Sequence, residues 1–209
     1  MPFRKKPEEP SGLSRRGFLK TVGAGTVAGG LIGESATPPR ASAQAPALAG
    51  PGPIPLELNI NGKVEKVSVE PRVTLLDTLR NHLDLTGSKK VCDRGTCGAC
   101  TVLLDNKPIY SCSMLAVEAQ GHAVQTIESL GTPEQLSAIQ AAFVEHDAQQ
   151  CGFCTPGFVV ACTAFVHDHP NATLEDVRAG LGGNLCRCGT YHGVTEAVLQ
   201  VVKTGKGGA

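Results

Sequence analysis

Residues 91–102 read VCDRGTCGACTV and place three thiols, Cys92, Cys97 and Cys100, on one short run. Two glycines, Gly95 and Gly98, stand between them. A loop that wraps three thiolates around one centre must turn its backbone sharply, and glycine takes positive φ without steric cost. The amides exposed by such turns can donate to the sulfurs. The stretch therefore reads as a metal-binding loop, and the segments on either side decide the fold that carries it.

Upstream, Leu56, Leu58 and Ile60 alternate with polar residues, and Asn61-Gly62 follows as a hairpin turn. Val67 and Val69 continue a second strand. A bulge or longer loop is expected between the two strands, with the register left open. Thr74 opens a short helix with Asp77 as its capping partner, and Leu75, Leu76, Leu79 and Leu83 form the buried stripe. Downstream, Thr101–Leu104 and Ala123–Ile127 supply further strands. Residues 54–130 thus read as strand–strand–helix–strand–strand, a small α+β unit. The C-x4-C-x2-C spacing matches plant-type [2Fe–2S] ferredoxins. Cys112, after a hairpin through Asp105-Asn106, can supply a fourth ligand. Four cysteines also bind zinc, but structural zinc sites more often pair C-x2-C knuckles on both sides.

Residues 131–209 read differently. Thr132-Pro133-Glu134-Gln135 is a helix start, with Leu136, Ile139 and Phe143 on its apolar face. Phe158, Val159, Cys162, Phe165 and Val166 mark a second helix, Thr173-Leu174-Glu175-Asp176 caps a third, and Val194, Ala197, Val198 and Val201 mark a fourth. Four short helices with brief connections read as a helical bundle. Two of the connections carry thiols: Cys151 and Cys154 in QQCGFCTPGF, and Cys186 and Cys188 in GGNLCRCGTY. Antiparallel neighbours bring these loops to one end. A lone C-x2-C suggests a thiol–disulfide motif, but that motif expects a thioredoxin-like βαβ setting. Cys162 falls at helical spacing among apolar residues and reads as a core thiol. The histidines, among them His146, His167, His169 and His192, read as surface or helix-end residues. Arg187, between two of the thiols, could raise a cluster's potential, lie on the surface or face a partner.

The first 43 residues read as an address. Ser14-Arg15-Arg16-Gly17-Phe18-Leu19-Lys20 fills the twin-arginine export pattern, and an uncharged run from Thr21 to Gly33 follows. That run is shorter than the roughly 18 apolar residues of a membrane span. Ala41-Ser42-Ala43 forms a cleavage site, so the mature chain starts near Gln44, with a linker over 44–53. Gly23-x-Gly25-x-x-Ala28 fits a dinucleotide fingerprint, but it follows no strand and lies in the cleaved segment. The twin-arginine route carries folded proteins, which favours thiols loaded with metal before export over disulfides formed after it. Localisation in the periplasm is the expectation. The segment holds seven of the 19 Lys/Arg and three of the 19 Asp/Glu, so its removal leaves a net charge of −4. With no Trp and 4% aromatics, neither a basic field nor a stacking platform for nucleic acid is present.

Taken together, CDRGTCGACTV, QCGFCTPG and GNLCRCGTY make the chain from about residue 54 to 205 resemble the iron–sulfur subunit of the xanthine oxidase family of molybdenum hydroxylases. Within that family it is most similar to the small subunits of periplasmic aldehyde oxidoreductases. The resemblance implies a β-grasp ferredoxin domain followed by a four-helix domain, each with one [2Fe–2S] cluster. Cys92, Cys97, Cys100 and Cys112 would hold the outer cluster, and Cys151, Cys154, Cys186 and Cys188 the one nearer molybdenum. Gln150 and Cys188 would approach the pterin of a molybdenum cofactor held by a large partner subunit. Electrons would leave to a FAD-binding subunit or a cytochrome c, during oxidation of an aldehyde or an N-heterocycle. No catalytic residue is implied on this chain. Val91 stands where the family usually has Gly, Gly182 where Ser is usual, and CRCGTY replaces the commoner CRCTGY. None of these changes removes a ligand. A free-standing two-cluster carrier is the competing expectation, and a two-zinc structural module a weaker one.

Overall fold

The computed structural model describes residues 50–205. The twin-arginine segment, its cleavage site and residues 44–49 of the linker lie outside the described residues. In chain order the regular elements are β1 (Ile54–Ile60), β2 (Lys63–Val69), α1 (Leu75–His82), β3 (Thr101–Leu104), β4 (Lys107–Tyr110), β5 (Ala123–Gln125), α2 (Ala138–Glu145), α3 (Thr155–Asp168), α4 (Leu174–Gly180) and α5 (Tyr191–Thr204).

The strands form one sheet in the order β2-β1-β5-β3-β4. The β1–β5 pair is parallel and the other pairs antiparallel. Leu75 and Leu79 of α1 lie in one buried cluster with Leu56, Leu58, Ile60, Val102 and Val124 of the strands. A helix laid across a mixed sheet of this order is the β-grasp arrangement the sequence predicts. Leu76 turns the other way, toward Cys100 and Cys112. Thr74 caps α1 as expected, accepting from the Asp77 amide at 3.1 Å. Leu83 follows the last turn and is only half-buried.

The first hairpin corrects the expectation of a bulge. Asn61 and Gly62 alone make the turn, at φ 54° and 76°, so Ile60 pairs with Lys63 and Leu56 with Val67. Both positive φ values suit the tight turn whose twist matches the strands. Val67 and Val69 therefore do lie opposite the apolar face, across from Leu56 and Ile54. The alternation is hard to see because β2 is an edge strand whose matching positions nearest the turn are Lys63 and Glu65. The return arm of the second hairpin, β4, adds a fifth strand. β5 also stops two residues short of Ile127, because Asn61 captures Thr126: its Oδ1 accepts the Thr126 amide at 2.8 Å.

In the second half, α2 through α5 enclose Ile139, Phe143, Phe158, Cys162, Val177 and Val198. The predicted start of the first of these helices is too early. Thr132 closes only a turn, accepting the Gln135 amide at 3.1 Å. The helix begins after Ser137, which accepts from the Gln140 amide while Gln140 Oε1 accepts from the Ser137 amide. This reciprocal box satisfies two otherwise orphaned donors. Leu136 consequently sits outside the helix and is exposed. Cys162 is fully buried, as a core thiol should be. A separate cluster of Leu103, Val160 and Ala164 joins β3 to α3, so the sheet half and the helical half share a buried seam.

Candidate metal centres

The loop before β3 is pinned at its ends by Lys89 N to Ala99 O at 3.0 Å and Thr101 N to Gly98 O at 3.1 Å. Between them, Asp93, Gly95 and Gly98 take positive φ. A Cβ on Gly95 would stand 2.5 Å from Ser113 Oγ, so the position needs glycine for space as well as conformation. The turned amides find sulfur, with Gly95 N donating to Cys112 Sγ at 3.3 Å and Thr96 N to Cys92 Sγ at 3.4 Å. Cys112 rides on the turn Ser111–Ser113, and Ser111 Oγ ties that turn to Cys100 O at 2.7 Å.

Within each predicted cysteine group the thiols lie in neighbouring pairs. In the first, Cys92 lies beside Cys97, and Cys100 beside Cys112. In the second, Cys151 pairs with Cys188 and Cys154 with Cys186. The thiols thus associate two and two. Among the described residues, no three Cys, His or acidic side chains close on one point as a single bound ion requires. Two pairs per group suit a centre with two metals, each held by one pair.

The environment differs within each group. Burial raises the Cys100 thiol to about 12 and the Cys154 thiol to about 12. Burial also opposes ionisation of Cys92, but the amides of Thr96, Arg94 and Cys97 and the Cys97 thiol outweigh it and bring Cys92 down to about 6. At Cys186 burial is outweighed by the hydroxyl and amide of Thr190, which help bring it to about 7. Each group therefore holds a thiol that ionises readily, as metal loading demands. Thr155 Oγ1, next in sequence to Cys154, is buried with no hydrogen-bond partner among the described residues. The residues present fit an iron–sulfur centre in both places.

A set of hydrogen bonds that the sequence does not announce joins the two loops. Leu185 N donates to Cys97 O at 2.9 Å, which links the residue before Cys186 to the backbone of a cysteine in the first group. Asn184 is buried; its Nδ2 donates to Gly98 O at 3.0 Å and to Thr101 Oγ1 at 3.3 Å. Tyr110 Oη donates to Gly183 O at 2.8 Å. Gly157 of α3 sits so close that a Cβ there would be 2.2 Å from Gly98 O. Asn184, Thr101, Tyr110 and Thr190 were missed as functional residues. The signal available was the small, polar GGN run before Cys186.

The other candidates take their places. Gln150, Cys151 and Cys188 are exposed. Arg187 is exposed too. The histidines make contacts elsewhere: His146 with Gln200, His122 with Asp105, and His167 with Asp168.

The comparisons with known proteins agree with this geometry. Residues 58–126 match a family described as a 2Fe-2S iron-sulfur cluster binding domain, and residues 126–199 match a [2Fe-2S] binding domain. The chain is 41% identical over 201 residues to the aldehyde oxidoreductase iron-sulfur-binding subunit PaoA of Escherichia coli (strain K12), covering 89% of this chain and 86% of that one. The chain belongs to the iron–sulfur subunits of the xanthine oxidase family. Another member, the nicotine 6-hydroxylase small subunit of Paenarthrobacter nicotinovorans, is 44% identical over 144 residues, covering 69% of this chain and 87% of that one. Among solved structures, quinoline 2-oxidoreductase from Pseudomonas putida 86 matches with TM-score 0.69 and 39% identity, over 74% of this chain and 98% of that one. The aldehyde oxidoreductase of Desulfovibrio desulfuricans ATCC 27774 matches with TM-score 0.70 and 38% identity, over 74% of this chain but 17% of that one. As a member of this family the chain is the iron–sulfur subunit of an oxidoreductase, and its task is electron transfer.

Proposed function

We propose that this chain relays electrons within a molybdenum hydroxylase through two [2Fe–2S] clusters. Cys92, Cys97, Cys100 and Cys112 hold one cluster. Cys151, Cys154, Cys186 and Cys188 hold the other. A separate large subunit carries the molybdenum cofactor and oxidises the substrate, an aldehyde or an N-heterocycle. Electrons enter at the second cluster and pass to the first. They leave to a FAD-binding subunit or a cytochrome c. The chain's own residues hold the clusters and tune their potentials, and none acts as acid, base or nucleophile.

The observation that carries this reading is the direct link between the two thiol groups. The Leu185 amide on Cys97 O makes a covalent and hydrogen-bonded connection from Cys186 to Cys97. The exposure of Gln150, Cys151 and Cys188 supports an entry point there, open to a partner's pterin. Among the described residues no helix is long and apolar enough to cross a membrane. The Ser14–Lys20 pattern supports export of the loaded protein to the periplasm by the twin-arginine route.

Gentle purification of the C-terminally tagged chain from its native host tests the reading. Near-stoichiometric molybdenum and a co-purifying large subunit are expected, with flavin or haem content naming the acceptor. Iron-replete chain without molybdenum would instead favour the free-standing carrier.

A further inference from the structure

Among the described residues, four helices begin after Ser or Thr. Three of these residues serve their own helix: Thr74 accepts from Asp77 N, Ser137 from Gln140 N and Thr173 from Asp176 N. Such caps satisfy the orphan amides of a first turn. Thr190, at the start of α5, makes no side-chain cap bond. Its hydroxyl donates to Cys186 Sγ at 3.1 Å, and its amide reaches the same sulfur at 3.5 Å.

The local backbone enforces this choice. Gly189 at φ 83° folds the chain back over Cys186, and the Cys186 amide donates to Tyr191 Oη at 2.8 Å. The first thiol group has only a longer hydroxyl contact. Its sulfurs take backbone amides at 3.3 and 3.4 Å, and Ser113 Oγ stands 3.7 Å from Cys112 Sγ. The Thr190 hydroxyl is thus the shortest of these donors to sulfur, and it lies on a buried cysteine.

We propose that Thr190 sets the reduction potential of the second centre through its hydroxyl bond to Cys186. Reducing the centre by one electron places additional negative charge on its sulfurs. A donor to sulfur stabilises that state more than the oxidised one and raises the potential. The second centre thereby takes up an electron more readily than it would without this bond. The inference rests on the reading that Cys186 is a cluster ligand.

The test uses iron-replete full-length chain in three forms: wild type, Thr190→Val and Thr190→Ser. Dithionite supplies the electrons, and EPR at controlled potentials reads each centre. The second centre's signal is identified as the one altered by Cys186→Ser. Thr190→Val should shift the second centre's reduction equilibrium about tenfold toward the oxidised state, ~59 mV for one electron. Thr190→Ser should hold the wild-type value, and the first centre should not move in either variant. If Thr190→Val loses the cluster, Thr190→Ala removes the hydroxyl without enlarging the side chain and carries the same comparison. Unchanged potentials in an iron-replete variant lacking the hydroxyl would overturn the proposal, as would an equal drop in Thr190→Ser. A Cys186→Ser variant with both signals unaltered would instead remove the ligand reading beneath it.

Discussion

Asn184 shows how much one side chain contributes when it is buried and fully used. Its amide faces Gly98 O and Thr101 Oγ1 across 86 and 83 residues of sequence. Asn184→Ala removes two buried hydrogen bonds, at a cost of about 1–3 kcal/mol in all, although Gly98 O keeps the Thr101 hydroxyl at 2.6 Å. Scanned at fixed rate, the melting temperature should fall by roughly 2–4 °C for each of those kcal/mol. Asn184→Asp should be no milder, because it turns an acceptor toward Gly98 O. A second contrast separates ligand from core thiol. Cys162 is buried among apolar side chains, so Cys162→Ala should cost about 1 kcal/mol and keep the full iron content. Cys154→Ser should lose iron from the second centre. Iron measured per chain distinguishes them directly, and loss of iron in Cys162→Ala would show that the thiol groups are drawn wrongly.

The elements place these residues through their ends more than through their lengths. The β3–β4 hairpin turns on Asp105 and Asn106, both at positive φ, and so delivers Cys112 beside Cys100. α3 begins directly after Cys154, with Pro156 in its first turn, where proline costs no intrahelical bond. α5 begins directly after Thr190, within reach of Cys186. The start of α2 offers a prediction, because two sequence signals compete there. Ser137→Ala removes the working cap and should destabilise the chain by about 1 kcal/mol. Thr132→Ala touches only an exposed turn and should stay within about 0.5 kcal/mol of wild type. Denaturant midpoints at constant slope would show the difference. Equal effects would mean that the earlier start is the one the chain uses.

At the scale of the molecule, the seam joins two halves that each have their own core. Leu103, Val160 and Ala164 supply its apolar part, and the bonds from Leu185, Asn184 and Tyr110 its polar part. Electron transfer between the proposed centres depends on this docking, which brings the Leu185 amide to Cys97 O and the Asn184 amide to Gly98 O. Gly157→Ala tests it. Alanine is favoured in a helix by about 1 kcal/mol over glycine, so an innocent site would gain stability. Here the new methyl would meet Gly98 O at 2.2 Å and push α3 off the first loop. The iron absorbance and the helix signal should change together on unfolding of the wild type and separate in the variant. A stabilised variant with one coincident transition would mean that the seam yields without consequence.

The eight thiols and their division into two fours were legible in the sequence, because spacing on a loop survives without knowledge of the fold. So were most elements, since period-two and helical patterns mark a buried face locally, as at Leu56-Leu58-Ile60 and Phe158–Val166. The hairpin register was obscured where an edge strand carries Lys63 and Glu65 in place of apolar residues. The helix start was obscured by two competing caps five residues apart. The link between the centres was not legible at all. Asn184 meets Gly98, Leu185 meets Cys97 and Gly157 meets Gly98 only after both halves have folded and docked, and no local pattern encodes a contact across more than 50 residues. Sequence determined which atoms bind metal as proposed here; tertiary structure decided how the two centres are held against each other, because that depends on the shape of a buried seam.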